Sequence, residues 1–367
     1  MSRKRRKSQM NLIMGICAMA VLIVVVLVVV AKMGSKKEDM VDATSASMAA
    51  ESVTAATQDS HTGQARSRLT GQWVDATSVN TVPLAVMYSN IEEAMPQSSI
   101  SYADVVFESL VEGGITRLCC VFQNKNQLSK IGPVRSCRTY YLLFAKEFEA
   151  NYVHFGYSEY AESYLAQSKF HSLDGMVYCN FYRSTDRVAP HNAYTSWDGI
   201  MDSVNAKGYP VTYTDSYAAP FTFNTDDKSD VAINGGQTCI SFHPGYPYNK
   251  PWFEYDEPSK SYLRFQFGGP QIDAETGSQL SFKNILVKYV EPAYYDNGTP
   301  NYTINGVGKG LYITDGKAVE VTWQKQSETE GATKYYYADG SEVVLNQGKT
   351  YICQVESSQE VSILESK

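Results

Sequence analysis

The sequence predicts an α/β domain followed by a mostly β domain, both held behind one transmembrane helix. Three observations predict it. Residues 11–31 carry no charge, strand and helix patterns alternate from residue 82 to about 210, and after about residue 230 short aromatic and β-branched runs are separated by Gly, Asp and Asn.

Residues 1–10 read as a basic cytoplasmic tail, with Arg3, Lys4, Arg5, Arg6 and Lys7 ahead of the apolar run against Lys32, Lys36 and Lys37 behind it. That bias places the N-terminus inside and everything from Gly34 onward outside the cell membrane. The run "NLIMGICAMAVLIVVVLVVVA", residues 11–31, reaches about 31 Å as a helix, the thickness of a bilayer core. It is longer than the apolar region of a cleaved signal peptide and has no A-x-A-like site, so it reads as a single-pass signal anchor. Cys17 has too short an apolar run before it, and Ile16 where a small residue is wanted, to read as a lipidated cysteine.

Residues 32–80 read as a disordered tether, because Lys36 to Gly71 holds no aromatic residue and much Ala, Ser and Thr. Beyond residue 37 there remain 24 basic against 39 acidic side chains, a net charge near −15. That balance argues against nucleic acid or an anionic membrane surface as a general partner. The seven cysteines form no C-x-x-C pair. Cys119 and Cys120 are adjacent on an expected strand, so they point to opposite faces and read as buried small hydrophobes.

Residues 81–225 form the expected α/β domain. "VPLAVMY" (82–88), "ADVVFESLV" (103–111), "TRLCCVFQ" (116–123), "NYVHFGY" (151–157) and "MVYCNFY" (176–182) read as strands. Helices are expected from Ser136 as N-cap to about residue 149, where Tyr140, Phe144 and Phe148 recur four apart, and over 158–168 and 195–206. Residues 226–367 form the expected β domain, with Asp315-Gly316 and Asp339-Gly340 as hairpin turns.

Three segments of the first domain gather polar residues. "ESLVEGGITR" supplies Glu112 and Arg117 around a Gly-Gly turn, "IGPVRSCRTYY" supplies Arg135 and Arg138 with His154 on the next strand, and "YRSTDRVAPHNAYTS" supplies Arg183, Arg187, His191 and Asn192. If the fold brings them together, these cations suit phosphate or carboxylate. The alternative is an internal ion network with Glu108, Glu112, Asp104 and Asp186. No G-x-S-x-G elbow, phosphate loop or metal-ligand spacing is present, so no metal and no cofactor is expected.

The ordered series "PLAVMYSN", "MPQSSISYADVVFE", "EGGITRL", "IGPVRSCRTYY" and "APHNAYTS", with "VTWQKQ", "YYYADGSEV" and "LNQGKTYI" in the tail, resembles the YerB lipoprotein family of Gram-positive bacteria. The resemblance covers roughly residues 80–357. It implies two extracytoplasmic domains of unknown function and supplies no reaction. The anchor departs from the family's pattern, since a transmembrane helix stands in place of a lipidated cysteine.

The expected role is therefore binding of an anionic envelope component or metabolite by Arg135, Arg138, Arg183 and Arg187, with Glu112, Arg117, His154, His191 and Asn192 completing the site. Two alternatives stay open: a hydrolase or transferase acting on envelope material, and a scaffold or regulator with an envelope protein partner.

Overall fold

The computed structural model describes residues 61–233 and 235–367. The expected tail at 1–10, the span at 11–31 and most of the tether lie outside those residues. No helix among the described residues is long and apolar enough to cross a membrane.

The described residues fall in one compact unit. It begins inside the expected tether: Gln64–Arg66 pairs antiparallel with Trp73–Asp75, Leu69 is fully buried, and Arg66 forms an ion pair with Asp227 at 2.5 Å.

In chain order, the elements that build the unit are β1 (Leu84–Asn90), β2 (Val105–Leu110), β3 (Thr116–Phe122), α1 (Thr139–Glu147), β4 (Asn151–His154), α2 (Glu162–Leu165), β5 (Ser172–Asp174) and α3 (Trp197–Lys207). They continue with β6 (Ser241–His243), β7 (Trp252–Asp256), β8 (Ser261–Gln266), β9 (Asn284–Val290), β10 (Gly306–Thr314), β11 (Lys317–Lys325) and β12 (Thr350–Glu356).

The expected α/β character of residues 81–225 is corrected by this arrangement. A single eleven-stranded mixed sheet runs β11-β10-β9-β12-β2-β3-β1-β4-β5, extended beside β11 by Gln237–Thr238 and Lys334–Tyr336. Strands from both halves of the sequence share it, since β2 pairs in parallel with β12. The described residues hold three α-helices, of nine, four and eleven residues, and the protein is mostly β. The physical reason lies in the connections. Only residues 111–115 separate β2 from β3, too few for a crossover helix, so the two pair as antiparallel neighbours. The parallel partner of β2 comes from far along the chain instead.

Both faces of the sheet are covered. Leu84, Val86 and Tyr88 of β1 join a core with α3 and a second, antiparallel sheet that contains β6–β8. Ala85 and Met87 enter the opposite core against α1, where Phe107 stacks on Phe144 at 4.6 Å. Burial on both sides explains why β1 reads as an uninterrupted apolar run. Cys119 and Cys120 fall in opposite cores, and all six described cysteines are buried and free.

Two local expectations also change. Residues 176–180 form a turn rather than the start of a strand, with Cys179 and Asn180 at φ 69° and 45°, Met176 and Val177 exposed, and only Tyr182 of the expected strand paired. Helix α1 starts at Thr139 with Arg138 as its N-cap. The preceding backbone is held extended: Arg135 N–H donates to the Met87 carbonyl and Cys137 N–H to the Gly156 carbonyl, both at 3.0 Å. In the second half, the Asp315-Gly316 turn joins β10 to β11 as expected, both residues having positive φ.

Candidate functional site

The paired ends of β1 and β3, where Ser89 lies opposite Arg117, form the base of a cationic cluster. The turn Glu112–Gly114 joins β2 to β3 here, with Gly113 and Gly114 both at φ 72°. Alongside runs the extended segment that carries Arg135 and Arg138. The third contribution is the loop from Arg183 to Asn192, closed by pairing of Tyr182–Arg183 with Ala193–Tyr194.

Arg138 is the one guanidinium of the cluster with a carboxylate partner. Its Nε and Nη2 donate to Glu112 Oε1 and Oε2 at 2.6 and 2.7 Å, a bidentate fork. Burial would raise the Glu112 carboxyl, but the hydrogen bonds and charge of Arg138 outweigh it and bring it down to about 2. A carboxyl lowered on folding contributes stability above its ordinary value near 4.5 and loses it as pH falls through about 2. The stability gap between the parent and Glu112→Gln should therefore close as urea unfolding is followed from pH 5 to pH 2. A constant gap would mean that the carboxylate charge contributes nothing.

The other cations lack such a partner. Arg117 is buried and donates through Nη1 to the Ser136 carbonyl at 2.5 Å. Burial, Arg138 and Arg135 together push it down to about 10. The Arg135 guanidinium has one hydrogen bond, a 3.4 Å contact with the Pro190 carbonyl. Its pKa is lowered by burial and by the charges of Arg138 and Arg183. Arg183 donates to Asn192 Oδ1 at 2.8 Å and lies 4.8 Å over the Phe155 ring. Asn192 in turn donates to the carbonyls of Ser184 and Arg187, which fixes the loop. His191 Nδ1 meets Ser89 Oγ at 3.1 Å, and burial followed by the charge of Arg135 lowers its pKa.

Two expected members go elsewhere. His154 is fully buried. Its Nδ1–H donates to the Gly156 carbonyl, and Nε2, which must then accept, takes the Ser172 hydroxyl, both at 2.8 Å. Burial lowers its pKa, which suits a neutral ring. Arg187 donates to the carbonyls of Glu93 and Pro96. The structure thus brings together Arg117, Arg135, Arg138, Arg183, Glu112 and His191, with Asn192 as a brace.

The expected internal network exists only in part. Glu108 pairs with Arg264 and Asp104 with Lys125, and Asp186 accepts from the Ser184 hydroxyl, so none of these three forms an ion pair with a cluster arginine. Ser89 and Phe155 were not readable as members, because they enter through register and backbone position. Two hollows elsewhere, of about 330 Å3 beside Tyr213 and about 780 Å3 beside Trp323, are each lined by carboxylates as well as by lysine. Neither carries an excess of positive charge.

A β protein built on two large sheets, with a cationic cluster where its turns converge, is the class that this fold and site define. The chain belongs to the YerB family: the N-terminal domain described as a protein of unknown function (DUF3048) matches residues 69–210, and the corresponding C-terminal domain matches residues 242–352. YerB of Bacillus subtilis (strain 168), which its name classes as a lipoprotein, is 30% identical over 300 residues, covering 80% of this chain and 87% of the relative. A crystal structure of the YerB protein from Bacillus subtilis matches with a TM-score of 0.72 and 28% identity, covering 81% of this chain and 99% of that chain.

Proposed function

We propose that the protein is a membrane-held, extracytoplasmic binding protein whose ligand is an anionic cell-envelope component or metabolite. One observation carries the reading: among the described residues, Arg117, Arg135 and Arg183 form no ion pair with a carboxylate, while Arg138 beside them is paired with Glu112. Like charges held together disfavour one another and attract an anion. Guanidinium forks on an anion form charge-assisted hydrogen bonds, each contributing about 1.5–3 kcal/mol. The location is supported by the uncharged run at 11–31 and by the lipoprotein class in the name of the Bacillus relative.

The test is thermal unfolding of a soluble form beginning at Asp59, against phosphorylated and carboxylated envelope fragments. A true ligand at a hundred times its dissociation constant adds about 2.7 kcal/mol to the stability. At least one anion is expected to stabilise the protein. If neither phosphates nor carboxylates shift the transition, the reading fails.

A further inference from the structure

Ten large hydrophobic residues are exposed among the described residues, and five of them, Tyr157, Met176, Val177, Tyr182 and Val188, fall between residues 157 and 188. That stretch also supplies Arg183 and runs directly into His191 and Asn192. Met176 is 65%, Val177 73% and Val188 83% exposed. Scattered apolar residues need no account, but a concentration beside a charged site does.

The apolar side chains are presented by a braced loop. The Asp174 carboxylate accepts from Gly156 N–H at 2.8 Å and from Met176 N–H at 3.0 Å. Cys179 N–H donates to Ser203 Oγ at 2.7 Å, which ties the turn to α3. Gly175 lies against the Phe181 and Phe155 rings so closely that an added Cβ would come within 2.6 and 2.8 Å of them. Phe155 is the ring on which Arg183 lies. Met176 thus directly follows the glycine that packs against the ring carrying a cation of the site. On the other side, the Val188 carbonyl accepts from His191 N–H at 3.0 Å. Apolar and cationic groups are fastened to the same short frame.

We propose that the site takes an amphiphilic anion, with a phosphate-type headgroup at Arg135 and Arg183 and an apolar chain lying along Met176, Val177, Tyr182 and Val188. This names the ligand class of the anion-binding reading above and rests on it. A single amphiphile fits better than a whole anionic bilayer, because the chain beyond residue 37 carries a net charge near −15 and would be repelled from such a surface.

Isothermal titration of the form beginning at Asp59 with methyl, butyl and octyl phosphate, each kept monomeric, tests this. Affinity should rise with chain length, by up to about fourfold for each methylene buried. The ratio of octyl to methyl affinity should collapse in the triple variant Met176→Ser, Val177→Ser, Val188→Ser. If affinity is independent of chain length while methyl phosphate still binds in an Arg135-dependent way, the amphiphile is overturned and the anion site stands. A chain-length dependence that survives in the triple variant overturns the assigned apolar surface. No binding of any of the three overturns the amphiphile together with a phosphate site.

Discussion

Replacing Glu108 with alanine is expected to destabilise the protein by about 3–5 kcal/mol, the cost of breaking a fully buried ion pair from one side. Glu108 and Arg264 are both 0% exposed, and Arg264 Nη2 donates to Glu108 Oε2 at 2.8 Å. The carboxylate accepts four more hydrogen bonds, from Asn90, Thr116 and Asn249 at Oε1 and from Tyr351 at Oε2. Its removal leaves one cation and four donors without their acceptor in a region closed to water. In thermal unfolding, that loss corresponds to a fall of roughly 5–15 °C. Glu108→Gln keeps the shape and loses the charge, so it should retain only part of the stability. A double-mutant cycle with Arg264→Met should show coupling of about 0.5–3 kcal/mol, because the second change removes the cation that the first one strands. If Glu108→Ala unfolds within about 2 °C of the parent, the buried network does not hold the two halves of the chain together.

Glu108 also shows where sequence reading stops. Its partners Asn249, Arg264 and Tyr351 stand more than a hundred positions away, and no local pattern links them. The strands β1–β3 were legible because each is a compact apolar run, and Asp315-Gly316 was legible because two consecutive positive φ angles favour that dipeptide. Their assembly into one sheet with β12 was not, since pairing partners are chosen by long-range packing. Apolarity misled at 176–182, where "MVYCNFY" has the composition of a strand but begins as a turn that buries Cys179 and leaves Met176 and Val177 exposed. Ser136 misled in another way: it is a good N-cap residue type, yet Arg135 and Cys137 give their N–H groups to Met87 and Gly156, which postpones the helix to Thr139. For the site, the three arginine-bearing segments were legible as candidates. Their convergence, and the departure of His154 into the interior, depend on the sheet.

Arg135→Ala is expected to leave the ligand-free protein as stable as the parent, or slightly more stable, while removing most of the stabilisation that an anion confers. The Arg135 guanidinium is disfavoured by burial and by Arg138 and Arg183, and its one internal hydrogen bond is long, at 3.4 Å. Truncating it therefore removes repulsion and little attraction. Arg138 responds in the opposite sense. Burial lowers its pKa, but the hydrogen bonds and charge of Glu112 outweigh that and raise it. Arg138→Ala strips Glu112 of its fork and should cost about 1–3 kcal/mol. With an anion present, loss of the Arg135 contact should weaken binding by about ten- to a hundredfold, the equivalent of 1.4–2.8 kcal/mol. Thermal unfolding of both variants, with and without the stabilising anion, separates the two roles. A guanidinium that serves the fold lowers the transition of the free protein when it is removed, whereas one that serves a ligand lowers only the transition of the complex. If Arg135→Ala melts several degrees below the parent without any anion, Arg135 belongs to the first kind, and the positive charge gathered at the ends of β1 and β3 is not there for a ligand.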